Sequence, residues 1–165
     1  MKRSILILAL IATTFAGHAQ KDTANNYVNK FLSIPDFKIN TAPDSSFFGN
    51  EQLKKNEPFM IMFFSPDCDH CQKQTKDLLA YKNELKDLQI IMVSALSYND
   101  SKNFYNEYGL ASMPNVKLGT DPSYQMRKIY RLQTMPAMYV YDKNGTLAKA
   151  FVGNIGVPFI LDAVK

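Results

Sequence analysis

The run Phe59-Met60-Ile61-Met62-Phe63-Phe64 places six apolar residues in succession, with no polar alternation. A strand with one wet face alternates between apolar and polar residues. A strand without alternation is covered on both faces, as in the interior of a parallel sheet. The run therefore predicts an α/β arrangement with helices on the faces of a central sheet. Directly after it come Ser65-Pro66-Asp67 and then Cys68-Asp69-His70-Cys71. From Cys68 to about Leu88 the pattern changes to helical period, with Cys71, Leu78, Leu79, Leu85 and Leu88 near one stripe.

The rest of the chain reads in the same terms. Phe37-Lys38-Ile39 is expected as a short edge strand, Thr41 to Gly49 as a loop, and Glu51 to Asn56 as a helical turn ended by Pro58. Ile90 to Val93 repeats the buried-strand pattern. Ser97 to Tyr108 carries a helix signal, with Asn99 or Ser101 as cap and Gly109 closing it. Val116-Lys117-Leu118 is a further strand, and Asp121-Pro122 opens a helix over residues 123–130. Ala137 to Tyr141, then Asp142-Lys143-Asn144-Gly145, then Thr146 to Val152 form a β-hairpin, because Asn-Gly supplies the positive backbone angles of a tight turn. A short helix from Val157 to Ala163 ends the chain.

The first residues are read as a targeting segment. Lys2 and Arg3 precede the largely apolar stretch Ser4 to Phe15, and Gly17-His18-Ala19 places small residues at −3 and −1 before Gln20. This pattern predicts a cleaved secretory signal over 1–19, followed by a polar lead-in over 20–31 and one domain over 32–165. The apolar stretch is shorter than the ~20 residues of a membrane-spanning helix. No cysteine lies near the cleavage point, so lipid attachment there is excluded. The expected location is the periplasm or another exported compartment. The formal charge of +4 includes both signal cations, and the remaining Lys and Arg are scattered. That distribution gives nucleic-acid binding no support.

Cys68 and Cys71 are the only two cysteines. Export changes their meaning, because an oxidising compartment allows a disulfide. At the start of a helix, residues three apart share a face, so the two sulfurs can meet. Cys68 lies by the unpaired N–H groups and the positive end of the helix dipole, which favour a thiolate. It is the expected nucleophile, with the deeper Cys71 as the resolving thiol. His70, the only histidine outside the signal, favours the Cys68 thiolate, whereas the Asp69 carboxylate opposes it. A c-type haem site needs His after the second Cys, where this chain has Gln72. Zinc needs four ligands, and two thiols with one histidine fall short. No metal or other cofactor is expected. A purely structural disulfide over so small a loop would constrain the unfolded chain little. A peroxide-reducing site built on Ser65-x-x-Cys68 is only a loose match.

Met135-Pro136, directly before a strand, is the second candidate. A cis proline there would leave the Met135 backbone to pair with an extended substrate, while a trans proline would merely start a strand. The residues alone leave both open, and Met113-Pro114 ranks behind.

Phe63 to Cys71, the Met-Pro before the penultimate strand and the Asp-x-Asn-Gly hairpin together resemble the thioredoxin superfamily. Within it they are most similar to the TlpA-like (ResA-like) exported thiol–disulfide oxidoreductases, over about residues 32–165. The resemblance implies a thioredoxin fold with a central mixed sheet flanked by helices. It also implies Cys68 as exposed nucleophile, Cys71 as resolving thiol and Pro136 as the cis proline. The long stretch between Cys71 and Pro136 points to a strand–helix insertion between the Cys-x-x-Cys helix and the cis-Pro strand. The implied activity is reduction of disulfides in envelope or secreted proteins, fed by a membrane-bound thiol electron donor. Two departures stand out: no Trp precedes Cys68, and Met62 occupies the strand position of the thioredoxin buried acid. They favour the non-catalytic alternative, a peptide-holding module at the Pro136 groove. His70 favours the enzymatic one, a disulfide oxidase or isomerase.

Overall fold

The computed structural model describes residues 32–165. The expected signal over 1–19 and lead-in over 20–31 lie outside the described residues. Seven strands form one sheet: β1 (Lys38–Ala42), β2 (Phe47–Gly49), β3 (Phe59–Phe64), β4 (Gln89–Ser94), β5 (Val116–Thr120), β6 (Ala137–Tyr141) and β7 (Leu147–Val152). Their spatial order is β2-β1-β5-β4-β3-β6-β7. The central β5-β4-β3 group is parallel, and β1, β2, β6 and β7 join in antiparallel sense. Among the described residues the α-helices that accompany them are α1 (Asp69–Ala80), α2 (Tyr98–Glu107), α3 (Gln125–Tyr130) and α4 (Val157–Ala163).

All six residues of β3 are buried, and their alternation divides the core. Met60, Met62 and Phe64 pack with Leu78 of α1, Phe104 of α2 and Ile160 of α4. Phe59, Ile61 and Phe63 pack with Met126 and Tyr130 of α3. Each fully buried side chain of this size contributes about 1.5–3 kcal/mol. The central strand thus ties both helical layers to one sheet, as its unbroken apolar run requires.

Several boundaries differ from the sequence reading. The first strand begins at Lys38 and is not an edge, because Phe47–Gly49, expected as loop, pairs outside it. The turn between β1 and β2 contains a cis Ala42-Pro43 bond. The dithiol helix ends at Ala80 instead of near Leu88, yet Leu85 and Leu88 remain buried in the turns that follow. Helix α2 is capped by Ser97, not Asn99 or Ser101; the Ser97 hydroxyl accepts the Asp100 N–H. Helix α3 starts two residues later than expected, at Gln125.

The C-terminal ends of β3, β4 and β5 emerge along one rim of the sheet. Ala137 pairs with Phe63, so the peptide entering β6 lies beside the exit of β3. This places Met135-Pro136 against the segment that carries both cysteines.

Candidate active site

Helix α1 begins at Asp69, and Cys68 is its N-cap, with extended backbone angles of φ −95 and ψ 114. Oxygen side chains usually fill this position by accepting an N–H from the first turn. Here the Cys68 sulfur takes that role, accepting the Cys71 N–H at 3.4 Å. Its place is set by a tight turn, in which the Cys68 N–H donates to Ser65 O at 3.1 Å and the Ser65 hydroxyl bonds the Asp67 carboxylate. Gln72 reaches back to Pro66 O at 2.9 Å and holds the same turn from the helix side. The Cys68 sulfur also contacts Met135 O at 3.8 Å.

Cys71 is fully buried and lies in the core cluster that contains Met62. Its thiol donates to the Cys68 sulfur at 2.8 Å. Both cysteines are free thiols, Cys68 partly exposed and Cys71 enclosed. Burial pushes the Cys71 thiol up to about 12, assisted by the hydrogen bond to Cys68 and by the charges of Cys68 and Asp67. The Ser65 backbone opposes the shift. The acidic side chain acting on this thiol is therefore Asp67, which the sequence reading left out.

The Met135-Pro136 bond is cis, and the Met113-Pro114 bond is not. Pro136 O accepts the Gly153 N–H at 2.8 Å, which joins this segment to the end of β7. Asp69 and His70 both occupy exposed positions in the first turn of α1. The charge of Asp69 is felt at Tyr108, whose phenol is raised first by burial, then by Glu107 and Asp69.

His70 belongs to a network with no signal in the sequence, since its partners lie some eighty residues away. Asn154 Nδ2 donates to His70 O at 2.7 Å, so its Oδ1 is the acceptor, and His70 Nδ1 lies 3.0 Å from that oxygen. Nδ1 therefore carries a proton directed at the amide oxygen. Gln74, fully buried one turn further along α1, closes the network. It accepts from Ile155 N at 2.9 Å and donates to Ile155 O at 3.2 Å. Among the described residues no group of three or more His, Cys, Asp or Glu side chains converges on a metal position.

A mixed sheet with helices on both faces, a cysteine capping α1 and the carbonyl of a cis Met135-Pro136 bond facing its sulfur define a thioredoxin-fold protein with a dithiol site. The chain belongs to the AhpC/TSA family, whose model matches residues 32–150. A secreted disulfide oxidoreductase of Mycobacterium tuberculosis, described as homologous to Escherichia coli DsbE, superposes with a TM-score of 0.65 at 15% identity. The match covers 82% of this chain and 98% of that one. The exposed lipoprotein thioredoxin of Streptococcus pneumoniae gives 0.62 at 22% identity, over 78% and 99% of the two chains. These likenesses show the fold. Human protein disulfide-isomerase A6 is 25% identical over 115 residues, which is 70% of this chain and 23% of the relative. The chain thus spans about a quarter of the length of the curated relatives it matches.

Proposed function

We propose that the chain is an exported thiol–disulfide oxidoreductase that reduces disulfides of envelope or secreted proteins through Cys68 and Cys71. One observation carries the reading. A partly exposed sulfur caps a helix beside a backbone carbonyl, with a second, buried sulfur 2.8 Å behind it. In the proposed cycle the Cys68 thiolate attacks a substrate disulfide, forming one S–S bond and releasing one substrate thiol. Cys71 then attacks Cys68, releases the second substrate thiol and leaves the protein as a disulfide. Two electrons have passed to the substrate, and a membrane-bound dithiol donor restores them. Met135, whose carbonyl faces the sulfur, is the proposed pairing point for an extended substrate backbone beside Pro136. Asp69 and His70 are the proposed modulators of the Cys68 thiolate.

The direction is tested by the reduction potential in glutathione buffer. Reduction requires a value toward the thioredoxin anchor of about −270 mV, whereas one near −120 mV marks an oxidant. Catalysis by this pair is tested with Cys68→Ser, which must abolish insulin reduction; unchanged turnover refutes it. The proposed signal over 1–19 requires secreted protein whose mass corresponds to a chain beginning at Gln20. The apolar surroundings of Cys71 favour a second reading, in which the groove holds peptides without turning them over. Peptide binding undiminished in a Cys68→Ser/Cys71→Ser variant, with no reductase activity in the native protein, supports that reading.

A further inference from the structure

Three consecutive residues after β7 join the two halves of the dithiol site. Gly153 takes a positive φ of 79 and gives its N–H to Pro136 O at 2.8 Å. Ile155 is clasped through both its backbone groups by the buried Gln74 side chain, at 2.9 and 3.2 Å. Asn154, fixed between these anchors, meets His70 twice. Its Nδ2 donates to His70 O at 2.7 Å, and its Oδ1 lies 3.0 Å from Nδ1 of the ring. Gln74 Oε1 is a second, longer partner for Nδ2 at 3.5 Å.

The two contacts to His70 differ in what they do. The bond to its carbonyl holds the helix backbone and needs no imidazole. The bond to Nδ1 holds the ring. His70 is the second residue of α1, and the rotamers a helix allows carry a side chain back toward its N-terminal end, where Cys68 is the cap. A ring free to take them offers its proton to the Cys68 sulfur. Among the described residues, however, that sulfur has Met135 O, the Cys71 N–H and the Cys71 thiol as its hydrogen-bond contacts. The Nδ1 proton is spent on the Asn154 amide instead.

We propose that Asn154 is a positioning residue that holds the His70 ring away from Cys68 and so keeps the dithiol on the reducing side. The inference rests on the proposed exchange at Cys68 and Cys71. An imidazole released from the amide stabilises the Cys68 thiolate, which exists only in the reduced protein, and so makes the pair more oxidising. With the ring tied back, a histidine between the cysteines is compatible with a reductase. Because His70 is exposed, the effect is about 2- to 5-fold in the equilibrium constant with glutathione. That is roughly 10–20 mV at about 30 mV per tenfold.

The test equilibrates the protein with glutathione, where two protein thiols and one oxidised glutathione give the Cys68–Cys71 disulfide and two reduced glutathiones. The oxidised fraction is read by acid quench, alkylation and mass spectrometry. Asn154→Ala is expected to lower the constant for disulfide formation by about 2- to 5-fold. Asn154→Leu does the same and serves if the alanine variant does not fold. In a His70→Ala background neither substitution changes the constant, although the bond to the carbonyl of residue 70 is lost there as well. This cycle separates the ring from the fold, because a merely structural Asn154 acts equally in both backgrounds. An unchanged or raised constant in Asn154→Ala and Asn154→Leu overturns the proposal, as does an equal fall with and without the imidazole. If the native protein forms no Cys68–Cys71 disulfide at any glutathione ratio, the exchange reading itself has failed, and this inference with it.

Discussion

Alkylation of Cys71 provides a quantitative test of the site. Its thiol is raised from 9.0 to about 12, chiefly by burial. At pH 8 a thiol titrating near 9 is about one-tenth ionised, and one near 12 about one ten-thousandth, so the reactive thiolate is depleted about a thousandfold. The perturbation is Cys68→Ser, which leaves Cys71 as the only cysteine. It removes the Cys68 contributions but keeps the burial, so a retardation of at least about a hundredfold is expected. Iodoacetamide is added at pH 8, and the fraction carrying one adduct is followed by mass spectrometry, with the same variant in concentrated guanidinium as reference. Labelling of the folded variant within tenfold of that reference refutes the argument. The same shift sets a pH dependence. The folded state holds this proton more tightly than the unfolded chain, so its contribution is complete below about pH 9. It is then lost as pH rises toward about 12, at ~1.4 kcal/mol per unit. Urea unfolding of Cys68→Ser at pH 8 and above pH 10 measures that slope.

Three further substitutions probe the frame around the dithiol. Gln74→Ala strips both Ile155 backbone groups of their side-chain partner and leaves a cavity. It should cost about 2–4 kcal/mol in urea unfolding, and a cost below about 0.5 kcal/mol refutes the role given to this clasp. The buried Tyr130 and Tyr141 hydroxyls lie 2.7 Å apart, and burial is the first cause raising both phenols, Tyr141 to about 12. Their folded values exceed the unfolded one, so stability falls above about pH 10. Tyr130→Phe in the oxidised protein should make that fall shallower by one proton; an unchanged slope counts against the assignment. Gly119 packs against β1 so closely that an added Cβ would lie 2.5 Å from Asn40 O. Gly119→Ala should therefore lower stability by at least about 1–3 kcal/mol, seen as a reduced melting temperature, and a neutral effect would show that β1 and β5 can separate.

How much of this was legible beforehand depended on how local the determinants are. The unbroken run at Phe59–Phe64 and the final helix at Val157–Ala163 are set by neighbours in sequence and were read correctly; the hairpin turn was placed correctly, but of Asn144 and Gly145 only the glycine takes a positive φ. Strand β2 was missed because three residues carry no period, and only pairing with Lys38–Asn40 makes them a strand. The end of α1 was placed too late because Leu85 and Leu88 continue an apolar stripe while serving the core from turns. Ser97, Asn99 and Ser101 are all competent caps, so composition does not choose among them. At the site, the two cysteines and the Met135-Pro136 dipeptide were visible because spacing and position carry their chemistry. Asp67, Gln74 and Asn154 were not, since an exposed acid and two amides acquire meaning only from what the fold sets opposite them.

That distinction alters where the control of electron flow is sought. The sequence directs attention to Asp69 and His70, between the two sulfurs. The geometry adds a device within the sulfur pair itself. Burial is the first cause holding the Cys71 proton, but two others, the hydrogen bond to Cys68 and the Cys68 charge, exist only while that sulfur is free. When Cys68 becomes bonded to a substrate it loses its charge and its strength as an acceptor. Both contributions then vanish, and the Cys71 thiol becomes more acidic. Burial and Asp67 remain, so the change is partial. Its timing nonetheless fits the proposed cycle: Cys71 is least reactive before a substrate is attached and becomes a better nucleophile once a mixed disulfide has formed. Met62 stands in the core cluster around Cys71, so in the proposed cycle the timing of the second step would come from the sulfur pair and not from a buried acid at that position.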